Sequence, residues 1–261
     1  MPTSADPTLI TPPATRGRAA PTIGIYGSAG RMGRAIIELL RDEGAAPAGG
    51  ADAGDDPAQL ARAADVLVDF STPSAVEAHL AAARAAGTPM LVGTTGLSRA
   101  HHVMIDDAAR DIAVLQTGNT SLGVTLLSIL VRDAAARLGA EWDVEIVEFH
   151  HRHKVDAPSG TALLLGEAVA AGRDTSLGEV RVDSRAGLVG ARTEGTIGFA
   201  SLRGGSVVGD HQVIFAGDGE RLELGHRGDG RVIFARGAIR AARWLAGQPA
   251  GRYTMTQVLG F

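Results

Sequence analysis

The sequence predicts an α/β protein in which a doubly wound parallel sheet is followed by a second, α+β region. Through the first half of the chain, short apolar segments alternate with helical patterns, as right-handed βαβ units require. After Leu122 the pattern changes to long helices and short strands with glycine-rich turns. The composition agrees, because 45% hydrophobic residues, only 4% aromatics and 35 glycines supply a core of small aliphatic side chains and many turns.

The first region contains short buried strands and amphipathic helices. Ile36 and Leu40, for example, belong to one apolar stripe at helical spacing. The predicted strands are residues 22–26, 48–51, 64–70, 89–92 and 112–115, and the predicted helices are residues 34–43, 74–86 and 98–110. We expect His79, His101 and His102 on exposed faces of these helices.

The second region predicts a mixture of helices and short strands. Residues 142–149 indicate a strand, because Val144 and Ile146 alternate with Glu145 and Glu148. The other predicted strands are residues 195–202, 211–215 and 221–224, and the predicted helices are residues 123–138, 159–171 and 235–246, before a short C-terminal tail. We expect a structural role for His211.

Charge and composition exclude several classes of protein. The 25 basic and 29 acidic side chains give a net charge of −4, so the chain lacks the broad positive surface of a nucleic-acid-binding protein. Cysteine is absent, which excludes disulfides, zinc–thiolate sites and cysteine nucleophiles. No apolar run reaches the roughly 18 residues that a membrane helix needs. We therefore expect a cytoplasmic protein with neither a nucleic-acid nor a membrane partner.

Residues 1–20 predict a disordered tail. They are rich in Pro, Thr and Ala, and they lack the continuous apolar core of a signal peptide. A transit peptide is the alternative, because the segment contains more arginine than acidic residues.

A glycine turn joins the first strand to the first helix. Gly30 and Gly33 allow the backbone to approach a phosphate closely, and the start of a helix offers free N–H groups to a pyrophosphate. The G-x-G-x-x-G spacing is imperfect, since Ser28 takes the first position. The strand–turn–helix context favours a Rossmann-type dinucleotide site, and an ordinary βα turn is the alternative.

Further cofactor contacts are predicted beyond the ends of later strands. Asp52 stands where an acidic residue binds the ribose 2′-hydroxyl, which favours NAD over NADP because a carboxylate repels a 2′-phosphate. A surface carboxylate beside Asp55 and Asp56 is the alternative. Thr94 and Thr95 follow another strand, at the edge where ligands of doubly wound sheets bind.

Residues 148–161 contain the densest chemistry of the chain, with five cationic or titratable groups in a row from His150 to Lys154. Ser159 is a natural N-cap, so a helix with a positive N-terminal end begins just after the cationic side chains. Both features attract an anion. This arrangement predicts a carboxylate pocket in which a histidine or lysine supplies a proton. The alternatives are a solvated basic loop and a zinc site formed by His150, His151 and His153.

These motifs together resemble the 4-hydroxy-tetrahydrodipicolinate reductase (dihydrodipicolinate reductase) family over residues 22–261. The similar segments are GSAGRMGR at 27–34, DFSTP at 69–73, VGTTG at 92–96, HHRHKVDAPSGTA at 150–162 and GERLELGHR at 219–227. The resemblance implies a dinucleotide-binding domain of residues 21–121 and 232–261, and a substrate-binding domain of residues 122–231 that also forms a homotetramer. It further implies NADH- or NADPH-dependent reduction of a cyclic hydroxy-dicarboxylate, with loss of water.

The resemblance also assigns roles to single residues, and no metal. His150 and Lys154 match catalytic positions, and the matching substrate-binding positions are His151, Gly160 and Thr161. The cofactor contacts that it implies are Gly27, Ser28, Ala29, Gly30, Arg31, Met32, Asp52, Gly93, Thr94, Thr95, Thr117, Gly118, Asn119 and Thr120. Arg231 matches a basic residue near the substrate.

Two positions depart from the family pattern. Thr120 stands where the family usually has a large apolar residue, and Ala53 replaces a basic residue of some dual-specificity members. Asp52 and Ala53 together predict a preference for NADH. We also expect hinges near residues 118–124 and 230–236. The alternative functions are a related NAD-dependent oxidoreductase for another small carboxylate and a non-catalytic dinucleotide-sensing protein.

Overall fold

The computed structural model describes residues 20–261, so the predicted tail lies outside the described residues except for Ala20. The strands are β1 (Ile23–Tyr26), β2 (Gly49–Ala51), β3 (Val66–Asp69), β4 (Met90–Val92), β5 (Ala113–Gln116), β6 (Asp143–His150), β7 (Arg181–Asp183), β8 (Ile197–Arg203), β9 (Gly209–Gly217), β10 (Glu220–Gly228) and β11 (Gly251–Tyr253). The helices are α1 (Arg31–Asp42), α2 (Pro57–Ala63), α3 (Pro73–Ala86), α4 (Arg99–Ala108), α5 (Leu122–Leu138), α6 (Gly160–Gly172), α7 (Leu177–Val180), α8 (Val232–Leu245) and α9 (Met255–Val258).

The first sheet is parallel throughout, with the strand order β11-β5-β4-β3-β1-β2. Its central strands are buried along their whole length, because helices cover both faces. One core includes Ile36 of α1 and Ala238 of α8, and the other includes Val76 of α3 and Ile105 of α4. The predicted doubly wound fold is confirmed. Chain direction across the sheet reverses beside β1, so ligands are expected beyond the carboxyl ends of β1 and β3.

The second sheet is mixed, with the order β10-β9-β6-β8-β7. β6 runs parallel to β8 and antiparallel to β9. Every second residue of β6 is buried, from Val144 and Ile146 to Glu148 and His150. The grouping of Glu148 with Glu145 on the polar face is therefore wrong, because a strand has a side-chain period of two and Glu148 shares the face of Ile146.

The C-terminal segment is the main element that sequence patterns missed. The predicted tail forms β11, which pairs in parallel with β5, and then α9. Only three residues form β11, too few to show an alternation. Thr254 and Gln257 form a capping box, and their T-x-x-Q spacing was the available signal. Within the described part of the chain, no helix is long and apolar enough to cross a membrane.

Candidate active site

The glycine turn is shaped for a phosphate group. Gly27 has a φ of 78°, in the left-handed region, and a Cβ at Gly33 would run into the backbone of Gly27 and Ser28. The helix α1 begins at Arg31, earlier than predicted, and its N-cap Gly30 contributes no side-chain hydrogen bond. The first N–H groups of α1 therefore remain available to an anion.

Asp52 lies beside this glycine turn and is hydrogen-bonded to it. Its carboxylate accepts a hydrogen bond from the Ser28 hydroxyl (2.6 Å) and from the Ala29 amide (3.0 Å). The side chain is exposed directly after β2. A carboxylate in this place beside a free helix start fits the ribose and pyrophosphate of a dinucleotide.

A buried carboxylate, Asp69, connects the two loops that follow β3 and β4. It accepts hydrogen bonds from the amide and hydroxyl of Ser71 (2.9 and 2.5 Å) and from the Thr94 hydroxyl (3.0 Å). A further bond, 2.8 Å long, joins it to His79 Nδ1. The ring of His79 stacks on Tyr26, with centroids 3.9 Å apart, and its side chain is only 14% exposed. The expectation of an exposed His79 is therefore wrong.

Two cavities lie beyond the carboxyl ends of the first sheet. The first, of about 370 Å³, is lined by the start of α1 and the loops after β3, β4 and β5; its residues include Arg31, Met32, Ser71, Gly93, Thr94, Thr120 and Phe234. The second, of about 510 Å³, extends toward the second sheet and is lined by Asn119, His150, Lys154, Ser159, Gly160 and Thr161, among others. Thr95, Thr117 and Gly118 line both cavities, so the two cavities adjoin at these residues.

His150 is held at the end of β6 by an acidic neighbour. Its Nδ1 lies 2.5 Å from Glu148 Oε2, and Glu148 is 1% exposed. Burial by itself would raise the pKa of Glu148, but hydrogen bonds from Arg203, Ser201 and His150 outweigh it and lower the pKa to about 2. A permanent carboxylate at Nδ1 fixes the orientation of the imidazole and leaves Nε2 for exchange of a proton.

Lys154 lines the same cavity and is paired with an acid two residues away. Its Nζ lies 2.8 and 2.9 Å from the two carboxylate oxygens of Asp156, and the hydrogen bond from Lys154 lowers the pKa of Asp156. Lys154 is the single lysine of the chain, whereas the other 24 basic side chains are arginines. An ammonium can give up a proton and a guanidinium cannot, so this position suits acid–base chemistry.

The N-terminus of α6 also lines the second cavity. The Ser159 hydroxyl accepts a hydrogen bond from the Ala162 amide, as predicted for an N-cap, and lies 3.1 Å from His211 Nε2. Burial lowers the pKa of His211 to about 4, and repulsion from His150 adds to this effect. Gly160 and Thr161 then present the first turn of α6 to the cavity, which suits a carboxylate.

Most of the residues that the sequence singles out line one of the two cavities. The glycine turn at 27–30 and Asp52 adjoin the first cavity without lining it, and two further residues lie apart. His151 is half-buried beside His153 and does not line either cavity, and Arg231 is exposed before α8. Among residues 20–261, no three histidine or acidic side chains are grouped as a metal ion would need. Sequence patterns missed Arg203, which contacts Glu148. Arg203 lies far from the motif along the chain, so no local pattern links the two.

A glycine-turn dinucleotide site that opens into a cationic cavity with a paired histidine and a lysine defines a two-domain nicotinamide-dependent oxidoreductase. Residues 21–120 match the family model for the dihydrodipicolinate reductase N-terminus, and residues 123–259 match the model for its C-terminus. The chain therefore belongs to the dihydrodipicolinate reductase family.

Individual relatives agree. The 4-hydroxy-tetrahydrodipicolinate reductase of Zymomonas mobilis is 54% identical over 245 residues, which cover 91% of this chain and 96% of the relative. The enzyme of the same name from Parvibaculum lavamentivorans is 48% identical over 261 residues, with 90% and 96% covered. Among solved structures, a dipicolinate-bound dihydrodipicolinate reductase from Paenisporosarcina sp. TG-14 has a TM-score of 0.68 at 20% identity, covering 90% of this chain and 98% of that one. This last similarity supports the fold alone.

Proposed function

We propose that the protein reduces (2S,4S)-4-hydroxy-2,3,4,5-tetrahydrodipicolinate to (S)-2,3,4,5-tetrahydrodipicolinate, with loss of water and oxidation of NAD(P)H, in diaminopimelate and lysine biosynthesis. The observation that carries this proposal is the cavity in which His150 and Lys154 face the N-terminus of α6, next to the glycine-turn cavity. The names of relatives at 48% and 54% identity support it.

The residues of the glycine turn fit a reduced nicotinamide dinucleotide, which supplies a hydride when bound. Gly30 and the first N–H groups of α1 would hold the pyrophosphate, and Asp52 would bind the adenosine ribose. Thr95, Thr117 and Gly118, which line both cavities, would contact the nicotinamide end. The remaining cofactor contacts named from the sequence stay part of this proposal. They belong to the glycine turn or line the first cavity, except Asn119, which lines the second.

The second cavity recognises and protonates the substrate. The first turn of α6 at Gly160 and Thr161 and the ammonium of Lys154 bind the two carboxylates. Elimination of water puts a proton on the leaving hydroxyl and releases one from the neighbouring carbon, and hydride addition then returns a proton to that carbon, so the net reaction consumes one hydride and one proton. Lys154, or His150 through Nε2, donates these protons. Closure of the two domains, at hinges near residues 118–124 and 230–236, excludes water from the reaction.

The preference for NADH is part of the proposal. The Asp52 carboxylate directly follows β2, where it would repel a 2′-phosphate, and Ala53 supplies no compensating charge. NADPH remains the second cofactor. Residues 21–121 with 232–261 then form the cofactor domain and residues 122–231 the substrate domain, since β11 returns to the first sheet.

A homotetramer is proposed through the outer face of the second sheet. Helices α5 and α6 pack together and against this sheet on its inner side. The outer face carries Val147, Phe149 and Leu202, and Leu202 is 49% exposed. Apolar side chains in this number on one open face favour contact with another subunit. Light scattering after gel filtration would give the mass. We also propose a cytoplasmic location, where reduced nicotinamide is supplied.

The test is a spectrophotometric assay of NADH oxidation, with the substrate made in situ from pyruvate and aspartate semialdehyde. We expect turnover that depends on both cofactor and substrate. Turnover with an acyclic oxo acid, but none with the cyclic dicarboxylate, would assign a different oxidoreductase. Cofactor binding without oxidation in the presence of substrate would assign a sensing protein.

A further inference from the structure

One arginine outside the cationic motif contacts the supports of both catalytic candidates. Arg203 is the last residue of β8 and lies opposite His150 in the parallel register of β6 and β8. Its two terminal nitrogens each donate to one oxygen of Glu148, at 2.8 Å. One of them also donates to the backbone oxygen of Asp156, at 2.6 Å.

Arg203 is connected to His150 through Glu148. Glu148 is almost fully buried, and both of its oxygens are engaged by Arg203. Oε2 also binds the imidazole Nδ1, and Oε1 accepts a bond from the Ser159 amide at 3.2 Å. The guanidinium thus fixes the carboxylate that fixes the imidazole.

Arg203 is connected to Lys154 through Asp156. Arg203 anchors the backbone at Asp156, whose carboxylate holds the Lys154 ammonium. Two backbone bonds join the same segments, from the Gly204 amide to His150 (3.0 Å) and from Arg152 to Gly205 (3.3 Å). The loop that carries Lys154 is therefore tied to the end of β8, and Arg203 supplies the side-chain tie.

We propose that Arg203 is a positioning residue that sets His150 and Lys154 in one geometry, through Glu148 and through the Asp156 backbone. This inference rests on the proposed function, which requires both groups at one substrate. Its chemistry needs arginine. A planar guanidinium binds a carboxylate in a bidentate manner and still has a donor for the carbonyl, whereas a lysine ammonium cannot hold this geometry.

The primary variant is Arg203→Lys, which keeps a cation beside the buried carboxylate. We expect kcat to fall by roughly 10- to 100-fold, as misplacement of reacting groups by about 1 Å costs. The affinity for NADH, measured by the fluorescence of the bound cofactor without substrate, should change less than about twofold. Arg181→Lys is the matched control, because Arg181 forms an ion pair with Asp183 (2.7 Å) on the same sheet, away from both cavities.

Two measurements separate positioning from stability. Calorimetry with pyridine-2,6-dicarboxylate and the apoprotein should show weaker binding for Arg203→Lys but not for the control. The double variant Arg203→Gln with Glu148→Gln removes both charges and keeps one lysine. Its single ¹³C-lysine ε signal should move from the wild-type position and respond less to the diacid.

A kcat for Arg203→Lys within about twofold of wild type would overturn the proposal. So would a parallel loss of kcat, NADH affinity and unfolding midpoint, or failure of both variants to fold, since these outcomes assign Arg203 to stability alone. A wild-type protein that does not reduce the cyclic substrate would instead reject the proposed function, and this is known before any variant is made.

Discussion

The side-chain amide of Asn119 donates a hydrogen bond to the hydroxyl of Thr161, with Nδ2 and Oγ1 3.0 Å apart. Asn119 belongs to the crossover after β5, and Thr161 to the first turn of α6. A residue predicted to bind cofactor thus contacts a residue predicted to bind substrate. This hydrogen bond therefore joins the predicted cofactor and substrate residues within the second cavity.

Replacing Thr161 with valine should weaken substrate binding selectively. Valine keeps the shape of the side chain but removes the hydroxyl, so Asn119 loses its partner and a substrate carboxylate loses a donor. We expect the KM for substrate to rise by about tenfold, with little change in NADH affinity. Steady-state kinetics and cofactor fluorescence measure the two values. Thr175→Val, beyond the other end of α6, is the control, and equal KM values for both variants would contradict the prediction.

Loss of Lys154 should affect chemistry more than binding. We expect Lys154→Ala to lower kcat by roughly 10²- to 10⁴-fold, the usual effect of losing a general acid. Since no other lysine exists in the chain, amine-directed modification should inactivate the protein in step with labelling of one side chain, apart from the N-terminal amine. Protection by pyridine-2,6-dicarboxylate is expected. Near wild-type kcat in the variant would remove Lys154 from this role.

His150→Ala is the parallel variant for the other candidate. It should lower kcat over the same rough range of 10²- to 10⁴-fold if the imidazole exchanges a proton. It also removes one hydrogen-bond partner of Glu148, which keeps Arg203 and the Ser159 amide, so thermal unfolding should be recorded alongside the kinetics. His153→Ala, which removes an exposed neighbouring imidazole, is the control. Equal kcat values for both variants would contradict a catalytic role for His150.

Asp52 should determine the choice of cofactor. Asp52→Asn keeps an acceptor for Ser28 and Ala29 but removes the charge that repels a 2′-phosphate. We expect the ratio of kcat/KM for NADPH to that for NADH to rise by about tenfold. Asp55→Asn removes a nearby charge but keeps an acceptor for the Asp52 amide and leaves the Asp52 carboxylate in place, so its ratio should stay close to wild type. A wild-type preference for NADPH would contradict the premise.

The loops around the cofactor should depend on Asp69. Asparagine in its place has one acceptor oxygen where four donors converge, from Ser71, Thr94 and His79. We expect Asp69→Asn to reduce NADH affinity by about tenfold and to lower the free energy of unfolding by about 1–3 kcal/mol, as unsatisfied buried groups do. Asp133→Asn, an exposed carboxylate, is the control. Unchanged NADH affinity would confine Asp69 to a structural role.

Local patterns were sufficient for β1 to β5 of the first sheet and for the cationic motif, but not for β11 at the sheet edge. Strand–helix alternation and the glycine turn depend on neighbours in sequence, so they could be read directly. The contacts that Arg203 and Asn119 make with the cationic motif could not be predicted in this way. They join residues 55 and 42 positions apart, and a single sequence does not show which distant segments pair.

The exposure of two side chains, His79 and Glu148, was predicted wrongly for the same reason. His79 lies on a helix whose sequence allows either exposure or burial, and the position of Asp69 on β3 decides the outcome. Glu148 occupies a core position because Arg203 and His150 pair with its carboxylate there. Charged residues are buried when they are paired, and pairing is a property of the folded chain.

Acid should destabilise the protein in part through His211. Burial lowers its pKa from an ordinary 6.5 to about 4. Between these values the unfolded chain binds the proton and the folded chain does not, so stability falls as pH falls from about 7 to about 4, by up to about 3 kcal/mol. His211→Gln, which keeps a polar group near Ser159, should flatten this dependence.

Urea unfolding at fixed protein concentration, at about pH 7 and about pH 4.5, measures the effect. The difference in free energy between wild type and His211→Gln should shrink as pH falls. The exposed His153 provides the matched control, since His153→Gln should follow the wild-type curve. The lowered pKa of Glu148, about 2, acts in the same direction but at lower pH and in every variant, so it cancels in the comparison. A His211→Gln curve parallel to wild type would mean that the folded protein does not exclude a proton from His211.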